Sequence, residues 1–277
     1  MPPLHFCPAP SMEKFNRTAI IRRKRTLVRK LQSPSPNLKK TQRLILDKIL
    51  TKQPVLPCVY GLSKDRTVLA NAKMHLKNAS DQLVVLDIEN FFPSVKRSQI
   101  IKVFRKLGFN KENSAILTKI CTVNDELPQG APTSPYLASL ACIKLDKEIY
   151  NYCKRRNFEY TRYFDDISVS GKNILEKHIK YIEKIIVKHS FRCNDSKREF
   201  YDFNTENKVI NGIVINQDKL SVTEKYKREI EESYRNLAAN KTLQNERVFS
   251  GKIGFYLHIN KEDAVKLVQK IKNNNSI

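Results

Sequence analysis

The chain has 277 residues, enough for a large core in one or two domains, with 51 Lys plus Arg against 28 Asp plus Glu and a formal charge of +23. A surplus of that size, spread along the chain, calls for a polyanionic partner. Nucleic acid fits better than an anionic membrane, because no apolar run approaches the ~18 residues of a spanning helix and no signal-peptide pattern opens the sequence. The 6 cysteines have neither close nor regular spacing, which argues against zinc sites and disulfide frameworks and for reduced thiols of a cytosolic protein. The 7 glycines form no G-x-G-x-x-G or G-x-x-x-x-G-K loop, so the familiar nucleotide cradles are absent.

In chain order, "MPPLHFCPAP" at Met1–Pro10 is Pro-rich and irregular, and Thr18–Leu31 reads as a basic hairpin. Ser35-Pro36 is a cap-like start to a helix with apolar positions Leu38, Leu44, Ile45 and Ile49. "QLVVLDI" is a short buried strand ending at Asp87, and "SQIIKVFRKLGF" is a helix stopped by Gly108. Ser134 and Pro135 mark the N-cap and first position of one long helix, striped by Leu137, Leu140, Ala141, Leu145, Ile149 and Tyr152. "FEYTRY" and "ISVSG" are extended runs separated by Phe164, Asp165 and Asp166. "NILEKHIKYIEKIIVKH" is an amphipathic helix with Ile174, His178, Ile182, Ile185 and His189 near one face, its histidines packing at the stripe edges. "KVINGIVIN" is a strand pair or a kinked strand with Gly212 at the bend, and from about Ser221 the chain is helical and strongly charged. No linker separates these pieces, so the expectation is subdomains around one cleft.

Asp165 and Asp166 stand between aromatic and β-branched residues that favour strands, where Asp is depleted. Two readings fit that pair alone: a hairpin turn, or a site for divalent cations, since adjacent carboxylates repel and want a positive charge between them. The strand ending at Asp87 adds a third carboxylate that a neighbouring hairpin tip can meet. Three acidic groups on apolar β-structure in a +23 protein serve solubility poorly. They serve two Mg²⁺ ions well, because hard cations take oxygen ligands and two-metal phosphoryl transfer sets the ions about 3.5–4 Å apart.

Asp87 in "LDIENFFPS", "LPQGAPTSP" at Leu127–Pro135 and "YFDD" at Tyr163–Asp166 resemble three sequential motifs of reverse transcriptases, in the family's order and spacing, from about Phe15 onward. Asn71-Ala72-x-x-His75 resembles the N-A-x-x-H signature of bacterial retron reverse transcriptases. Their V-T-G signature corresponds here to Ile210-Asn211-Gly212, which keeps the glycine alone.

The resemblance implies an α+β right-hand polymerase: fingers over 1–82, a palm of antiparallel sheet plus helices over 83–215 with a fingers insertion at about 109–132, and a helical thumb over 216–277. It implies that Asp87, Asp165 and Asp166 are catalytic and hold two Mg²⁺, with Mn²⁺ as a substitute and the Ile88 carbonyl completing one shell. In the deoxynucleotide site it places Phe92 as a steric gate against a ribose 2′-OH, with Phe91 the better core residue. Gln129 and Gly130 lie beside the incoming nucleotide, Arg29 grips the triphosphate with Arg22–Lys24 nearby, and Lys197 stands near the leaving pyrophosphate. Asn211 and Gly212 match a primer-grip turn whose backbone approaches the primer. Asn71 and His75 are either nucleic-acid contacts or a helix start and a satisfied polar residue.

The function implied is RNA-directed DNA synthesis in the cytoplasm of a bacterium. It copies a structured non-coding RNA from one of that RNA's own 2′-OH groups, gives a branched RNA–DNA, and belongs to an anti-phage system with an effector protein and no membrane partner. The alternatives are a reverse transcriptase of another lineage, group II intron-like or defence-associated, and a non-catalytic RNA-binding scaffold.

Overall fold

The computed structural model describes residues 17–23, 27–217 and 219–274, with side chains from 31 to 217 and from 219 to 273. Met1–Pro10, Lys24 and the Arg22 and Arg29 side chains lie outside the described residues. In chain order the elements begin with β1 (Arg17–Arg23), β2 (Leu27–Ser33), α1 (Pro36–Ile45), β3 (Val59–Tyr60), α2 (Val68–Leu76), β4 (Gln82–Asp87), α3 (Phe91–Ser94), α4 (Arg97–Lys106) and α5 (Lys111–Cys121). The middle of the chain forms α6 (Ser134–Ala141), α7 (Ile143–Lys154), β5 (Glu159–Tyr163), β6 (Asp166–Gly171), α8 (Glu176–Lys188) and β7 (Glu199–Tyr201). It closes with β8 (Lys208–Ile210), β9 (Ile213–Asn216), β10 (Lys219–Val222), α9 (Glu224–Ala239), α10 (Leu243–Ile259) and α11 (Lys261–Asn274). Contacts divide them into two compact units, each discontinuous in sequence.

The first unit takes Met1–Pro57, Ile88–Glu148 and Lys184–Cys193. Its β1–β2 hairpin is antiparallel, with Ile21 opposite Arg29. Pro36 occupies the first turn of α1, where its missing N–H costs nothing, and the helix runs on into a π-helical turn at Leu46–Leu50. Buried Gln42 ties α1 to α5 by donating from Nε2 to Ile120 O at 2.9 Å. The single long helix expected after Ser134 is two helices. Thr133, not Ser134, is the N-cap, and Cys142 (ψ −2°) ends α6 before α7 starts. The break turns the buried face from Leu140 and Ala141 to Ala138 and Cys142, both fully buried.

The second unit takes Cys58–Asp87, Ile149–Glu183 and Asn194–Ile277. Its five-stranded sheet has the order β3-β5-β6-β4-β7, antiparallel throughout except for the short parallel pair of β3 and β5. In β4, Leu83, Val84, Leu86 and Asp87 are buried, the near-continuous pattern of a strand covered on both faces. "KVINGIVIN" is a strand pair: β8 and β9 are antiparallel and joined by Asn211-Gly212, and β10 extends that sheet to Val222, so helix begins only at Glu224. Both turn residues have positive φ, +49° and +82°, the conformation that Asn-Gly adopts in two-residue hairpins.

Leu69, Ala72, Ala79, Leu83, Ile210, Ile213, Ile215 and Leu220 form one core between α2 and the two sheets. Each large aliphatic side chain there contributes about 1.5–3 kcal/mol by leaving water. A second cluster of Val222, Ile230, Tyr256, Ala264 and Ile271 holds α9–α11 together. Among the described residues no helix is long and apolar enough to cross a membrane. Among the described residues no cysteine is in a disulfide, and Cys58, Cys121, Cys142 and Cys153 are buried.

Candidate active site

The ladder of the second unit's sheet sets Asp87, the last residue of β4, directly opposite Asp166, the first of β6, and Tyr163 of β5 opposite the same Asp166. Asp165 therefore sits in the two-residue turn between β5 and β6, beside Phe164 with φ +53°. That unfavourable backbone is held from two sides. Arg162, fully buried, donates from Nη1 to Phe164 O at 2.8 Å. The Phe164 ring lies over Gly61, where an added Cβ would come within 2.8 Å of it. The sheet register and this braced tip bring one oxygen of each of Asp87, Asp165 and Asp166 within 4.8 Å of the others.

Asp87 is 6 % exposed, and its Oδ2 pairs with Lys197 Nζ at 2.6 Å. Asp166 Oδ2 accepts from Asn211 Nδ2 at 2.7 Å. Burial, and then the Asp165 and Asp87 charges, push Asp166 up to about 7, against the pull of Lys197 and the Asn211 hydrogen bond. The cluster is acceptor-only when ionised, built of hard oxygens, and self-repelling. Those are the properties of a divalent-cation site, and Mg²⁺ fits this donor set.

The helix α2 places Asn71 and His75 one turn apart on its buried face. Asn71 donates from Nδ2 to Asn211 Oδ1 at 2.6 Å. His75 is 1 % exposed and bonds the hairpin strands with both ring nitrogens, Nδ1 to Ser170 Oγ at 2.7 Å and Nε2 to Thr161 Oγ1 at 2.8 Å. Burial, reinforced by Lys77, pushes its pKa down to about 3, so the ring is neutral and donates from one nitrogen while accepting at the other. Both residues thus face the protein's own side chains.

Of the residues singled out from the sequence, Asp87, Asp165, Asp166, Lys197, Asn71, His75, Asn211 and Gly212 belong to the second unit, and the first five named with Asn211 form one connected network around the carboxylates. Arg29, Ile88, Phe92, Gln129 and Gly130 belong to the first unit. There Ile88 is buried and stands opposite Cys193 in an isolated antiparallel bridge. Phe91 is buried against Phe191, whereas its neighbour Phe92 is half-buried. Gln129 O accepts from Gln32 N at 2.8 Å, and Gly130, with φ +121°, lies so close to β2 that a Cβ would be 3.1 Å from Gln32 O. Thr161, Arg162 and Ser170 went unremarked in the sequence. Polar residues inside strands carry no local mark of a partner 95 residues away, as Ser170 is from His75.

The profile of the family described as reverse transcriptase (RNA-dependent DNA polymerase) matches residues 21–238. The retron Ec86 reverse transcriptase of Escherichia coli is 35 % identical over 248 residues, 88 % of this chain and 76 % of the relative. This chain belongs to the retron reverse transcriptases. The family's activity is RNA-directed DNA synthesis, and its fold is the α+β right-hand polymerase. A more distant member, the retron Mx162 reverse transcriptase of Myxococcus xanthus, is 29 % identical over 218 residues, 68 % of this chain but only 44 % of the relative. Among solved structures, a Candida albicans telomerase in complex with a fragment of telomeric RNA aligns with a TM-score of 0.49 and 11 % identity, over 84 % of this chain and 47 % of that one.

Proposed function

We propose that this retron reverse transcriptase copies a structured non-coding RNA into DNA, starting from a 2′-OH of that RNA, so that the product is a branched RNA–DNA used in defence against phage. The observation that carries the catalytic part is the convergence of Asp87, Asp165 and Asp166 within 4.8 Å. These three carboxylates would hold two Mg²⁺ ions, or Mn²⁺ in their place, with the Ile88 carbonyl as a further ligand. Bound there, the ions would stabilise the attacking and leaving oxygens of nucleotidyl transfer.

The chain's own groups do the rest. Lys197, already paired with Asp87, neutralises charge or gives a proton at the departing pyrophosphate. Arg29 grips the triphosphate, Phe92 excludes a ribose 2′-OH, and Gln129 and Gly130 flank the nucleotide and template base. The Asn211-Gly212 turn offers its backbone to the primer strand. Asn71 and His75 serve the RNA indirectly, by holding the carboxylate hairpin. The division that goes with this reading is fingers over 1–82, palm over 83–215 with the insertion at 109–132, and thumb over 216–277. Lys and Arg in large excess supply the sequence-independent grip on phosphate. The setting is the bacterial cytoplasm, with an effector protein of the same system as the other partner.

The test is the nucleic acid that co-purifies with the protein. Sequencing after RNase treatment should find one DNA species carrying a short ribonucleotide stub, released by a debranching enzyme. Linear DNA made only from an added primer would overturn self-priming, and RNA binding without any DNA synthesis would make the chain a scaffold.

A further inference from the structure

The hydrogen bonds around Asp166 have a direction. Ionised Asp166 only accepts, so the Asn211 amide must face it with its NH₂ end, as it does at 2.7 Å. An asparagine amide is nearly symmetric in shape, and a half-turn would set Oδ1 against the carboxylate instead. Asn71 opposes a half-turn of Asn211 alone: its Nδ2 lies 2.6 Å from Asn211 Oδ1, a contact that only the oxygen end of Asn211 can accept, so the two amides would have to turn together. Flipping Asn211 would put oxygen against oxygen on one side and NH₂ against NH₂ on the other.

Two further observations set Asn71 apart from ordinary core filling. It has no exposed surface, and its own Oδ1 is buried without a hydrogen-bond partner among the described residues. An unpaired buried polar atom is destabilising, and a leucine at the same place would avoid that cost. Asn211, in turn, sits at φ +49°, so the hairpin between β8 and β9 holds its backbone in a conformation that few residues other than Gly, Asn and Asp adopt.

We propose that Asn71 is a positioning residue for Asp166, acting through Asn211: it fixes the sense of the Asn211 amide and thereby the rotamer in which the Asp166 carboxylate joins Asp87 and Asp165. This gives the asparagine of the N-A-x-x-H segment a task inside the protein, as the first link of a relay from α2 to the carboxylate cluster. The inference rests on the reading of that cluster as a metal site.

The experiment measures Mn²⁺ binding to the full chain without substrates, by electron paramagnetic resonance. Beside it run the Mg²⁺ dependence of extension on a supplied primer–template and thermal unfolding in EDTA. Asn71→Leu should weaken Mn²⁺ binding and raise the half-saturating Mg²⁺ about three- to tenfold, the worth of one oriented hydrogen bond. It should unfold in EDTA no earlier than the wild type. Asn211→Ala should do at least as much to the metal constants, and adding Asn71→Leu to it should do no more, because Asn71 acts only through Asn211.

Wild-type metal constants in Asn71→Leu, or additive losses in the double variant, would overturn the relay. If Asn71→Leu does not fold, Asn71→Ala carries the same comparison. Asp166→Asn separates the two layers. Mn²⁺ binding that is absent in the wild type, or unchanged in Asp166→Asn, removes the metal reading and the relay together. Binding that depends on Asp166 but not on Asn71 removes the relay alone.

Discussion

Replacing His75 by Phe keeps a ring in its buried place and deletes both hydrogen bonds that join α2 to the carboxylate hairpin. The Ser170 hydroxyl keeps a partner, since Asn78 Nδ2 lies 3.0 Å from it, but Thr161 loses the one His75 supplied at 2.8 Å. At about 1–3 kcal/mol for each buried polar group deprived of its partner, with Ser170 near the low end, the loss at pH 8 should be about 2–4 kcal/mol. The pH dependence is more telling. The folded pKa of about 3 lies below the ordinary value of 6.5, so the unfolded chain binds the proton more tightly. The wild type therefore has this stability in full above pH 6.5 and loses it as pH falls toward 3, by up to about 1.4 kcal/mol per pH unit. The Phe variant has nothing to protonate there. Between pH 8 and pH 5 the gap between the two proteins should shrink by about 2 kcal/mol in urea unfolding at fixed ionic strength. A gap of the same size at both pH values, or no loss at pH 8, would refute the buried, neutral, doubly bonded histidine.

Asp165→Asn removes one charge at constant shape, so DNA synthesis should fall by orders of magnitude while filter binding of RNA, carried by the basic surface, persists; near-normal synthesis would break the metal assignment. Phe92→Ala should raise ribonucleotide incorporation relative to deoxynucleotide in single-nucleotide extension, and an unchanged preference in a folded variant would return Phe92 to packing. Gly61→Ala places a Cβ 2.8 Å from the Phe164 ring at φ +90°, so it should cost about 1–2 kcal/mol in backbone strain alone and slow synthesis by displacing the hairpin tip. A variant with wild-type stability and rate would show that the tip does not depend on that brace.

The sequence made the carboxylate cluster legible because each part of it has a local mark. Aspartate is out of place at the end of "QLVVLD" and inside "RYFDDISV", and the apolar periodicity around each fixes the strand. The Asn-Gly hairpin and the Pro36 helix start were legible for the same reason, since turn and cap chemistry is read from neighbours. The break at Cys142 was not. The apolar pattern runs through it without Gly or Pro, and only packing selects Ala138 and Cys142 for the interior over Leu140 and Ala141. The link from Asn71 to Asn211, across 140 residues, was equally out of reach, and Lys197, 110 residues from Asp87, was drawn to the site by the family resemblance alone, because sequence periodicity carries no information on tertiary partners.

The order of strands has a consequence for biogenesis. Strand β4 is complete at Asp87, yet both of its sheet neighbours, β6 and β7, lie far downstream, at Asp166–Gly171 and Glu199–Tyr201. At about 5–20 residues per second of synthesis, its apolar edges wait on the order of ten seconds for the first neighbour. An unpaired hydrophobic strand is the usual starting point of edge-to-edge aggregation. The nascent chain is then most in need of a chaperone between the emergence of β4 and that of β6. Ribosome-bound intermediates in this window should bind one, and intermediates extended past Tyr201 should release it.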